Sequence, residues 1–509
     1  MNRKRLRGVL THRLIITALL LLQLIFLCYL ILNGSRASKW ISTALSVVSV
    51  LVAMHVISRH EKPGYKLTWV FTLLVLPIFG GVFYLAMRLQ PSVLRFRKQV
   101  AYSLQSLCER MPYHEGALEA VQEASGAARL PRYLQNHAGF PVCPTRRIEY
   151  FSSGEAFFEG LLRELPKARR YIFIEFFIIQ EGEMWGRVLE ILKEKVRQGV
   201  EVRVLYDDFG CFLKLPRHYS EELRRLGIQC EVFTPFRPVL SMLQNNRDHR
   251  KIVSIDGEIA FTGGANLADE YINRVDRFGR WRDAALLCEG APAWSLTLMF
   301  LQMWGLATRK TPLYERFLPP PSEGAVLPGV YVQPYADSPL DVENVAEHVY
   351  MQIIAGARDY LYISTPYLIV DDLMVSALTL AAKSGVDVRI LTPERWDKRL
   401  VHITTRSYYR QLIEGGVKIY EFAGGFNHSK TFVCDDSIAT VGTVNMDYRS
   451  LYLHFECGAC VYGGQTVLDV KRDFLQSIER CHRVGLEECR KGWLRRMISE
   501  TLRVFAPLM

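Results

Sequence analysis

Residues 249–256 read His-Arg-Lys-Ile-Val-Ser-Ile-Asp, and residues 428–435 read His-Ser-Lys-Thr-Phe-Val-Cys-Asp. Both stretches fit the pattern H-x-K-x4-D. In both, six residues separate the Asp from a glycine that begins the sequence Gly-x-x-Asn, at 263–266 and at 442–445. One His-x-Lys is uninformative, but two copies with matched His, Lys, Asp, Gly and Asn predict a duplicated half-site. Two histidines can then face one substrate.

The repeat extends to whole domains. An apolar strand-like run at 171–179, a helical stretch and a second strand-like run at 199–206 recur as strand, helix and strand between 360 and 391. Gly-Val-Glu-Val-Arg-Val-Leu at 199–205 and Gly-Val-Asp-Val-Arg-Ile-Leu at 385–391 are close copies. A period of about 180 residues indicates gene duplication and not a solenoid. We predict an α/β fold of two tandem halves related by a pseudo-two-fold axis, which span residues 146–311 and 331–509 and are joined by a Pro-rich linker at 312–330.

Three apolar stretches precede the repeat, at 14–32, 40–57 and 67–87. Each approaches or reaches the roughly 18–20 residues that cross a bilayer, and no small-residue cleavage site of a signal peptide follows the first. The formal net charge of +11 favours anionic partners, either nucleic acid or an anionic lipid surface, and the apolar stretches favour lipid. We therefore predict that residues 1–90 contain transmembrane helices and that residues 91–145 connect them to the repeat.

The basic residues that flank the apolar stretches give conflicting indications of the orientation in the membrane. Those before residue 14, those at 59–66 and those at 88–98 all favour the inner side, which three full spans cannot satisfy. The conflict disappears if the stretch 67–87 turns back on itself at Pro77, Gly80 and Gly81. The catalytic part would then lie on the cytoplasmic face.

Two further features have ordinary structural interpretations. Residues 493–505 have helical apolar spacing, and we expect a helix that packs on the second half, with contact to a membrane surface as the alternative. Cys457 and Cys460 lie in a strand-like run that points them to opposite faces, so we expect reduced, buried cysteines and no metal site.

The repeated motif predicts a phosphate site. On a strand, alternation puts each motif histidine and lysine on one face, so that an imidazole and an ammonium group converge from a rigid element. A cation would be repelled by the two ammonium groups, whereas an anion would be attracted. No metal is then required to stabilise the phosphate charge. The predicted phosphate ligands are the side chains of Lys251, Lys430, Asn266 and Asn445.

The two histidines are predicted to have different roles. One attacks phosphorus as a neutral imidazole, and the other acts as general acid and then as general base. Each needs an acidic partner on its other ring nitrogen, and we expect each half to supply its own: Asp283, 34 residues after His249, and Glu456, 28 residues after His428. The motif residues Asp256 and Asp435 lie at odd offsets from the histidines and are expected to brace the fold.

These residues resemble the signature of the phospholipase D superfamily, and within it the bacterial cardiolipin synthases. The resemblance covers roughly residues 40–509. It departs from the usual pattern at 370–372, which reads Val-Asp-Asp in place of a Pro-Asp-Glu, and at His454, where Asn is common before Phe-Glu. The stretches that carry it are 246–251, 264–271, 281–283, 365–367, 442–450, 455–456 and 505–508, with Trp69 and 76–80 in the third apolar stretch.

The resemblance implies a reaction in which two phosphatidylglycerol molecules become cardiolipin and glycerol, without cofactor or metal. Phosphatidylglycerol would be both donor and acceptor, with His249 as nucleophile by family habit, at a bacterial cell membrane that the chain crosses several times. Anionic membrane lipid is a further expected partner and nucleic acid is not. The catalytic set that the family motif implies is His249, Lys251, Asp256, His428, Lys430 and Asp435.

Motifs alone leave three alternatives open. Water, or another alcohol such as serine, would resolve the same intermediate, which gives a phospholipase or a different phosphatidyltransferase. A nuclease or other phosphodiesterase of the superfamily is disfavoured by the apolar stretches. A non-catalytic scaffold is disfavoured because both histidines and both lysines are present.

Overall fold

The computed structural model describes residues 29, 36–59, 62–75, 79–88, 90–235, 242–320, 324–490 and 492–508. Two compact units divide the chain. One comprises residues 1–96, 236–245 and 500–509, and the other comprises 97–235 and 246–499. The histidine motifs both belong to the second unit.

The first unit is helical where it is described. Its helices are α1 (Arg36–Ser58), α2 (Pro63–Val75) and α3 (Phe79–Arg88). A small apolar cluster that includes Val56, Leu73 and Tyr84 joins them. Helices α2 and α3 approach closely at Gly80, where an added Cβ would lie 3.1 Å from the Cα of Leu73.

In the part of the chain that the structure describes, no helix has both the length and the apolar character needed to cross a membrane. The stretch 40–57 falls within α1, whose serines and His55 interrupt the apolar run. The stretch 67–87 is divided between α2 and α3, of 13 and 10 residues, which agrees with the predicted break. The stretch 14–32 lies outside the described residues apart from Tyr29.

The predicted connecting region is mostly helical and leads into the second unit. It contains α4 (Pro91–Cys108), α5 (Ala117–Ser125), α6 (Arg129–Asn136) and β1 (Cys143–Pro144). Strand β1 pairs with the strand that begins at Tyr331. The side chain of Gln333 donates to the carbonyls of Pro131 and Phe140, at 3.1 and 2.6 Å. This region therefore packs against the second half of the repeat.

The first half of the repeat alternates strands with helices, as the sequence predicts. Its elements are β2 (Arg147–Phe151), α7 (Gly154–Glu164), β3 (Tyr171–Phe176), α8 (Glu183–Arg197), β4 (Glu201–Asp207), α9 (Asp208–Cys211), α10 (Tyr219–Arg225), β5 (Gln229–Phe233), β6 (Arg247–Asp248), β7 (Lys251–Ile255), β8 (Ile259–Gly263), β9 (Arg280–Arg282), β10 (Ala285–Glu289) and α11 (Ala291–Thr308).

The second half repeats this order. Its elements are β11 (Tyr331–Asp337), α12 (Val345–Gly356), β12 (Tyr360–Ser364), β13 (Leu368–Ile369), α13 (Asp372–Lys383), β14 (Asp387–Pro393), α14 (Arg399–Glu414), β15 (Lys418–Phe422), β16 (Gly425–Asn427), β17 (Thr431–Cys434), β18 (Ile438–Gly442), β19 (Met446–Asp447), α15 (Tyr448–Tyr452), β20 (His454–Tyr462), α16 (Gly464–Ile478) and β21 (His482–Arg483).

The two sheets have the same topology. In the first the strand order is β2-β10-β8-β7-β3-β4-β5, and in the second it is β11-β20-β18-β17-β12-β14-β15, extended by β1, β6 and β21. The motif strand is antiparallel to the first strand of the crossover unit in both: Phe176 faces Lys251, and Ser364 faces Thr431. The predicted duplication of an α/β half is confirmed at the level of strand order.

Residues 493–504 form the predicted C-terminal helix, α17 (Trp493–Val504). Its end packs on α2, because Thr68 Oγ1 donates to the Val504 carbonyl at 2.9 Å and the rings of Phe71 and Phe505 meet edge to face at 5.5 Å. These contacts lie within the first unit, which includes residues 500–509, and the expected packing of this helix on the second half stays a prediction. Cys457 and Cys460 are buried and unbridged, as expected.

Candidate active site

The histidine motifs lie where the parallel strands end. Because Lys251 pairs with the last residue of β3, and Thr431 with the last residue of β12, both His-x-Lys stretches lie at the carboxyl edge of their sheets. Side chains at this edge of an α/β sheet face the crevice in which ligands bind. All four motif side chains are nevertheless buried, with His249 and His428 each 7% exposed.

Two short ladders cross from one half to the other. Strand β6, just before His249, runs parallel to the start of β20, and the His249 N–H donates to the Phe455 carbonyl at 2.9 Å. Strand β16, just before His428, runs parallel to β9, and the His428 N–H donates to the Arg282 carbonyl at 2.7 Å. Each histidine is therefore fixed beside the strand that carries the other half's acid.

The acidic partners are accordingly exchanged between the halves. His249 Nδ1 lies 2.9 Å from both carboxylate oxygens of Glu456, and His428 Nδ1 lies 2.7 Å from Asp283 Oδ2. The expectation that each half supplies its own acid is wrong, because the crossing ladders place β20 at His249 and β9 at His428. Both acids are fully buried, and each fixes the ring nitrogen that points away from a substrate at Nε2.

Burial and the lysines keep the histidines neutral. Burial, followed by the charges of Lys251 and Lys430, lowers the pKa of His249 well below its usual value. Burial and Lys430 lower the pKa of His428 to about 4, against the opposing effect of Asp283. Lysines from both halves thus act on one histidine, which shows that the two motifs converge. A neutral imidazole is the form that can act as nucleophile or base.

The lysines themselves are easily deprotonated. Burial lowers the pKa of Lys251 to about 8 and that of Lys430 to about 7. Lys251 Nζ donates to the His249 carbonyl at 2.7 Å, and Lys430 Nζ lies 2.7 Å from Nδ1 of His428. A phosphate bound between them would gain charge-assisted hydrogen bonds and would favour the charged form of both.

The two motif asparagines are not equivalent. Asn266 accepts from the Ile178 N–H at 3.0 Å and donates to the Tyr271 hydroxyl at 2.6 Å, so its amide is already engaged within the first half. The Asn445 side-chain oxygen is buried without a hydrogen-bond partner. Of the predicted pair of phosphate ligands, Asn266 has its amide oxygen engaged by a backbone N–H, whereas the amide oxygen of Asn445 is not engaged.

The motif aspartates lie at the other end of their strands. Asp256 accepts from the N–H groups of residues 169–171, each at 2.8 Å, and Asp435 accepts from those of residues 358–360, at 2.7 to 3.0 Å. Both occupy left-handed backbone positions, with φ of 55° and 51°. The geometry assigns them to bracing the turn before β3 and β12, as the odd offsets indicate, and not to the catalytic set that the family motif implies.

Two positions that contact the acids were not predicted from the sequence. Thr443 Oγ1 donates to Glu456, whereas its counterpart Gly264 leaves room for Asp283: a Cβ there would lie 2.0 Å from Asp283 Oδ1. The glycine of the first motif copy therefore fits the shorter acid, and the threonine of the second copy positions the longer one. The spacing of the motif showed that these positions correspond, but not what they touch.

Two buried arginines form hydrogen bonds and an ion pair between the two halves. Arg250 Nε donates to the Glu456 carbonyl at 3.1 Å. Arg282 donates to Asn427 Oδ1 at 2.8 Å and forms a 2.6 Å ion pair with Asp473. Both guanidinium groups therefore hold the strand segments that carry the acids and the motifs.

His454 also adjoins the site. It stands two residues before Glu456, as Trp281 stands two residues before Asp283, and the two rings pack against His249 and His428 at 5.4 and 5.1 Å. Burial lowers the pKa of His454 to about 3. His249, His454 and Glu456 form a group of potential metal ligands within the described part of the chain.

Comparisons with known proteins show the family of this chain. The family described as "Cardiolipin synthase, PLD-like domain" matches residues 161–277 and 350–478, and a "phospholipase D-nuclease N-terminal" family matches residues 47–88. An uncharacterized protein of Streptococcus mutans is 42% identical, over 87% of this chain and 96% of its own length. A cardiolipin synthase of Geobacillus kaustophilus is 35% identical, over 92% of this chain and 93% of its own length.

The fold is shared with a solved structure. That structure is the phosphatidylserine synthase of Haemophilus influenzae, which matches with a TM-score of 0.56 at 15% identity and covers 74% of this chain and 98% of its own. Such a likeness shows the fold alone. With two family matches on the two halves and a 35% identical relative along nearly the whole chain, the predicted family is confirmed: the chain belongs to the cardiolipin synthases with tandem phospholipase D-like domains.

Proposed function

We propose that this enzyme is a cardiolipin synthase that transfers a phosphatidyl group from one phosphatidylglycerol to another and releases glycerol. The observation that carries the proposal is the pair of buried histidines, each with Nδ1 held by a carboxylate of the other half. This arrangement leaves two Nε2 atoms for one phosphate, beside two lysines. Family membership supplies the lipid substrate class.

In the first step His249 attacks the phosphorus of the donor lipid. Its Nδ1–H is held by Glu456, so the lone pair on Nε2 is the nucleophile, and Glu456 stabilises the positive imidazole that results. The bond between phosphorus and the glycerol oxygen breaks, and His428 gives that oxygen its proton. The substrate phosphate offsets the lysine charges that lower the pKa of His428, which favours its protonated form.

In the second step the acceptor lipid resolves the phosphatidyl-histidine. His428, now neutral, takes the proton from the terminal hydroxyl of a second phosphatidylglycerol, whose oxygen attacks phosphorus. The bond to His249 breaks, cardiolipin forms and both histidines return to their starting state. Lys251, Lys430 and the Asn445 amide stabilise the phosphate oxygens in both steps, so the proposal needs neither nucleotide nor metal.

We also propose that the N-terminal apolar stretches attach the enzyme to the bacterial cell membrane, with the catalytic domain on the cytoplasmic face. The stretches 14–32, 40–57 and 67–87, the flanking basic residues and the formal net charge of +11 support this. A multi-pass anchor remains part of this proposal. Attachment would keep the active site at the surface that contains both of its substrates.

Identification of the lipid products tests the function. Purified full-length protein in vesicles of headgroup-labelled and acyl-labelled phosphatidylglycerol, without added metal, should yield cardiolipin and free glycerol in equal amounts. Phosphatidic acid as the only lipid product would identify a hydrolase and contradict the proposal. His249→Ala and His428→Ala should be inactive, whereas His348→Ala, which removes a partly exposed histidine paired with Glu343, should keep full activity.

A further inference from the structure

His454 is a buried histidine that the proposed reaction does not use. It is 7% exposed, and neither ring nitrogen has a hydrogen-bond partner. Its Nδ1 lies 3.8 Å from Glu456 Oε1, which is too long for a hydrogen bond. Its ring lies 5.4 Å from that of His249 at an angle of 44°. Buried polar groups normally have partners, so two unpartnered nitrogens beside a carboxylate require an explanation.

In the first half of the repeat, the position that corresponds to His454 has a side chain with a hydrogen-bond donor. Trp281 stands in the corresponding position, and its Nε1–H points at Asp283 Oδ2 from 3.5 Å. An indole has only that one donor, which is directed at the acid. His454 instead has one N–H and one nitrogen lone pair when neutral, and it lies beside a second buried imidazole and a buried carboxylate. The pseudo-two-fold symmetry is therefore broken at the position where a ligand set becomes possible.

We propose that His249, His454 and Glu456 bind one divalent transition cation of the Zn²⁺ class. Two imidazoles and a carboxylate, with a fourth position open to water, are a common ligand set for zinc. The three ligand atoms lie within 4.8 Å of one another. In tetrahedral coordination, metal–ligand bonds of about 2.1 Å place two ligand atoms about 3.4 Å apart, so the three side chains must draw together by up to about 1.4 Å to close the set. The His454 ring can make that shift without breaking a hydrogen bond.

The proposed cation lies on the side of His249 opposite the phosphate. Nδ1 faces Glu456, whereas Nε2 faces the substrate, so the cation replaces the Nδ1 proton and releases it to solvent. At the phosphate side, the two lysines repel a cation. At the Nδ1 side, the buried Glu456 carboxylate offsets that repulsion. This site is distinct from the phosphate site and needs no change in either motif lysine.

Cation binding should inhibit the enzyme. A cation on Nδ1 withdraws electron density from the imidazole and takes Glu456 away from stabilising a positive ring, so Nε2 becomes a weaker nucleophile. This inhibitory consequence rests on the proposed function, whereas cation binding itself does not. The reaction itself needs no metal, and micromolar Zn²⁺ would inhibit it reversibly.

Cobalt binding tests the site without reference to activity. Full-length protein in detergent, stripped with chelator and titrated with Co²⁺, should bind one ion per chain with visible d–d absorption, and Zn²⁺ should displace it. His454→Asn and His454→Gln should lose this binding while they keep the wild-type melting temperature. His482→Asn, which removes an exposed histidine paired with Glu488, is the matched control and should bind Co²⁺ as the wild type does.

Inhibition tests the consequence. Zn²⁺ should inhibit cardiolipin formation by the wild type and by His482→Asn, and His454→Asn should require at least tenfold more Zn²⁺. The site is refuted if the wild type binds no Co²⁺, or if His454→Asn binds it with the same stoichiometry and spectrum. If Zn²⁺ inhibits His454→Asn and the wild type at equal concentrations, the proposed inhibition through this site is refuted. A protein that makes no cardiolipin but binds Co²⁺ only when His454 is present would refute the proposed function and support the site.

Discussion

Nδ1 of His249 lies 2.9 Å from the carboxylate of Glu456, although 207 residues and a domain boundary of the repeat separate the two along the chain. His428 and Asp283 form the reciprocal pair across 145 residues. Neither half therefore contains a complete histidine–acid pair. The active site is assembled only where the two halves meet, and the short ladders β6–β20 and β9–β16 fix its register.

The exchanged pairing predicts which variants behave alike. Asp283→Asn should resemble His428→Ala and reduce the rate with phosphatidylglycerol by about 10²–10⁴-fold, because the general acid loses its orienting partner. A phosphatidyl ester of 4-nitrophenol has a leaving group that needs no protonation. With it, Asp283→Asn should still release a wild-type burst of nitrophenol, whereas Glu456→Gln and His249→Ala should not.

The same substrate separates the two pairings. If Asp283→Asn abolished the nitrophenol burst and Glu456→Gln preserved it, each acid would serve the histidine of its own half, and the exchanged arrangement would be wrong.

Much of this architecture is readable from the sequence because it is encoded locally. The copied runs at 199–205 and 385–391 predict the crossover strands β4 and β14, and the odd offset of Asp256 from His249 predicts that this carboxylate points away from the site. The exchange of Asp283 and Glu456 is not encoded locally. It depends on strands of two or three residues, β6 and β16, which carry no hydrophobic period and pair only after the halves dock.

The motif aspartates should matter for stability more than for chemistry. Asp256→Ala removes the acceptor of three backbone N–H groups and places alanine at a φ of 55°, so we expect a loss of about 2–4 kcal/mol in the free energy of unfolding. Asp256→Asn keeps an acceptor oxygen and tolerates this backbone, so it should lose about half as much. Thermal denaturation measures both, and Asp435 offers the same pair of substitutions. Near-complete loss of activity in a well-folded Asp256→Asn enzyme would restore Asp256 to the catalytic set.

Gly264 should tolerate no side chain. Alanine there would bring a Cβ to 2.0 Å from Asp283 Oδ1 and displace the carboxylate that holds His428. We expect Gly264→Ala to reduce activity by about 10²-fold or more through the general-acid step. Gly186→Ala in helix α8, where a Cβ meets nothing within 4 Å, is the control and should be fully active and slightly more stable. Wild-type kinetics in Gly264→Ala would show that the position of Asp283 does not limit the reaction.

The lysine pKa values predict an alkaline limb. Burial lowers the pKa of Lys430 to about 7 and that of Lys251 to about 8, so the charged forms that bind phosphate are lost as the pH rises through this range. kcat/KM, which reports the free enzyme, should fall between pH 7 and 9. The acid limb should lie well below pH 6.5, where His249 gains the proton that blocks its Nε2 as a nucleophile. Lys430→Arg keeps its charge and should move the alkaline limb upward; a profile flat to pH 10, or an unchanged limb in that variant, would contradict this assignment.

A rapid-quench experiment with acyl-labelled phosphatidylglycerol tests the central claim most directly, because the composite site is proposed to act through a lipid–histidine intermediate. We expect covalent label on the peptide that contains His249, absent in His249→Ala and chased into cardiolipin by unlabelled phosphatidylglycerol. Label on the peptide that contains His428, or cardiolipin formation without any covalent lipid in the wild type, would contradict it.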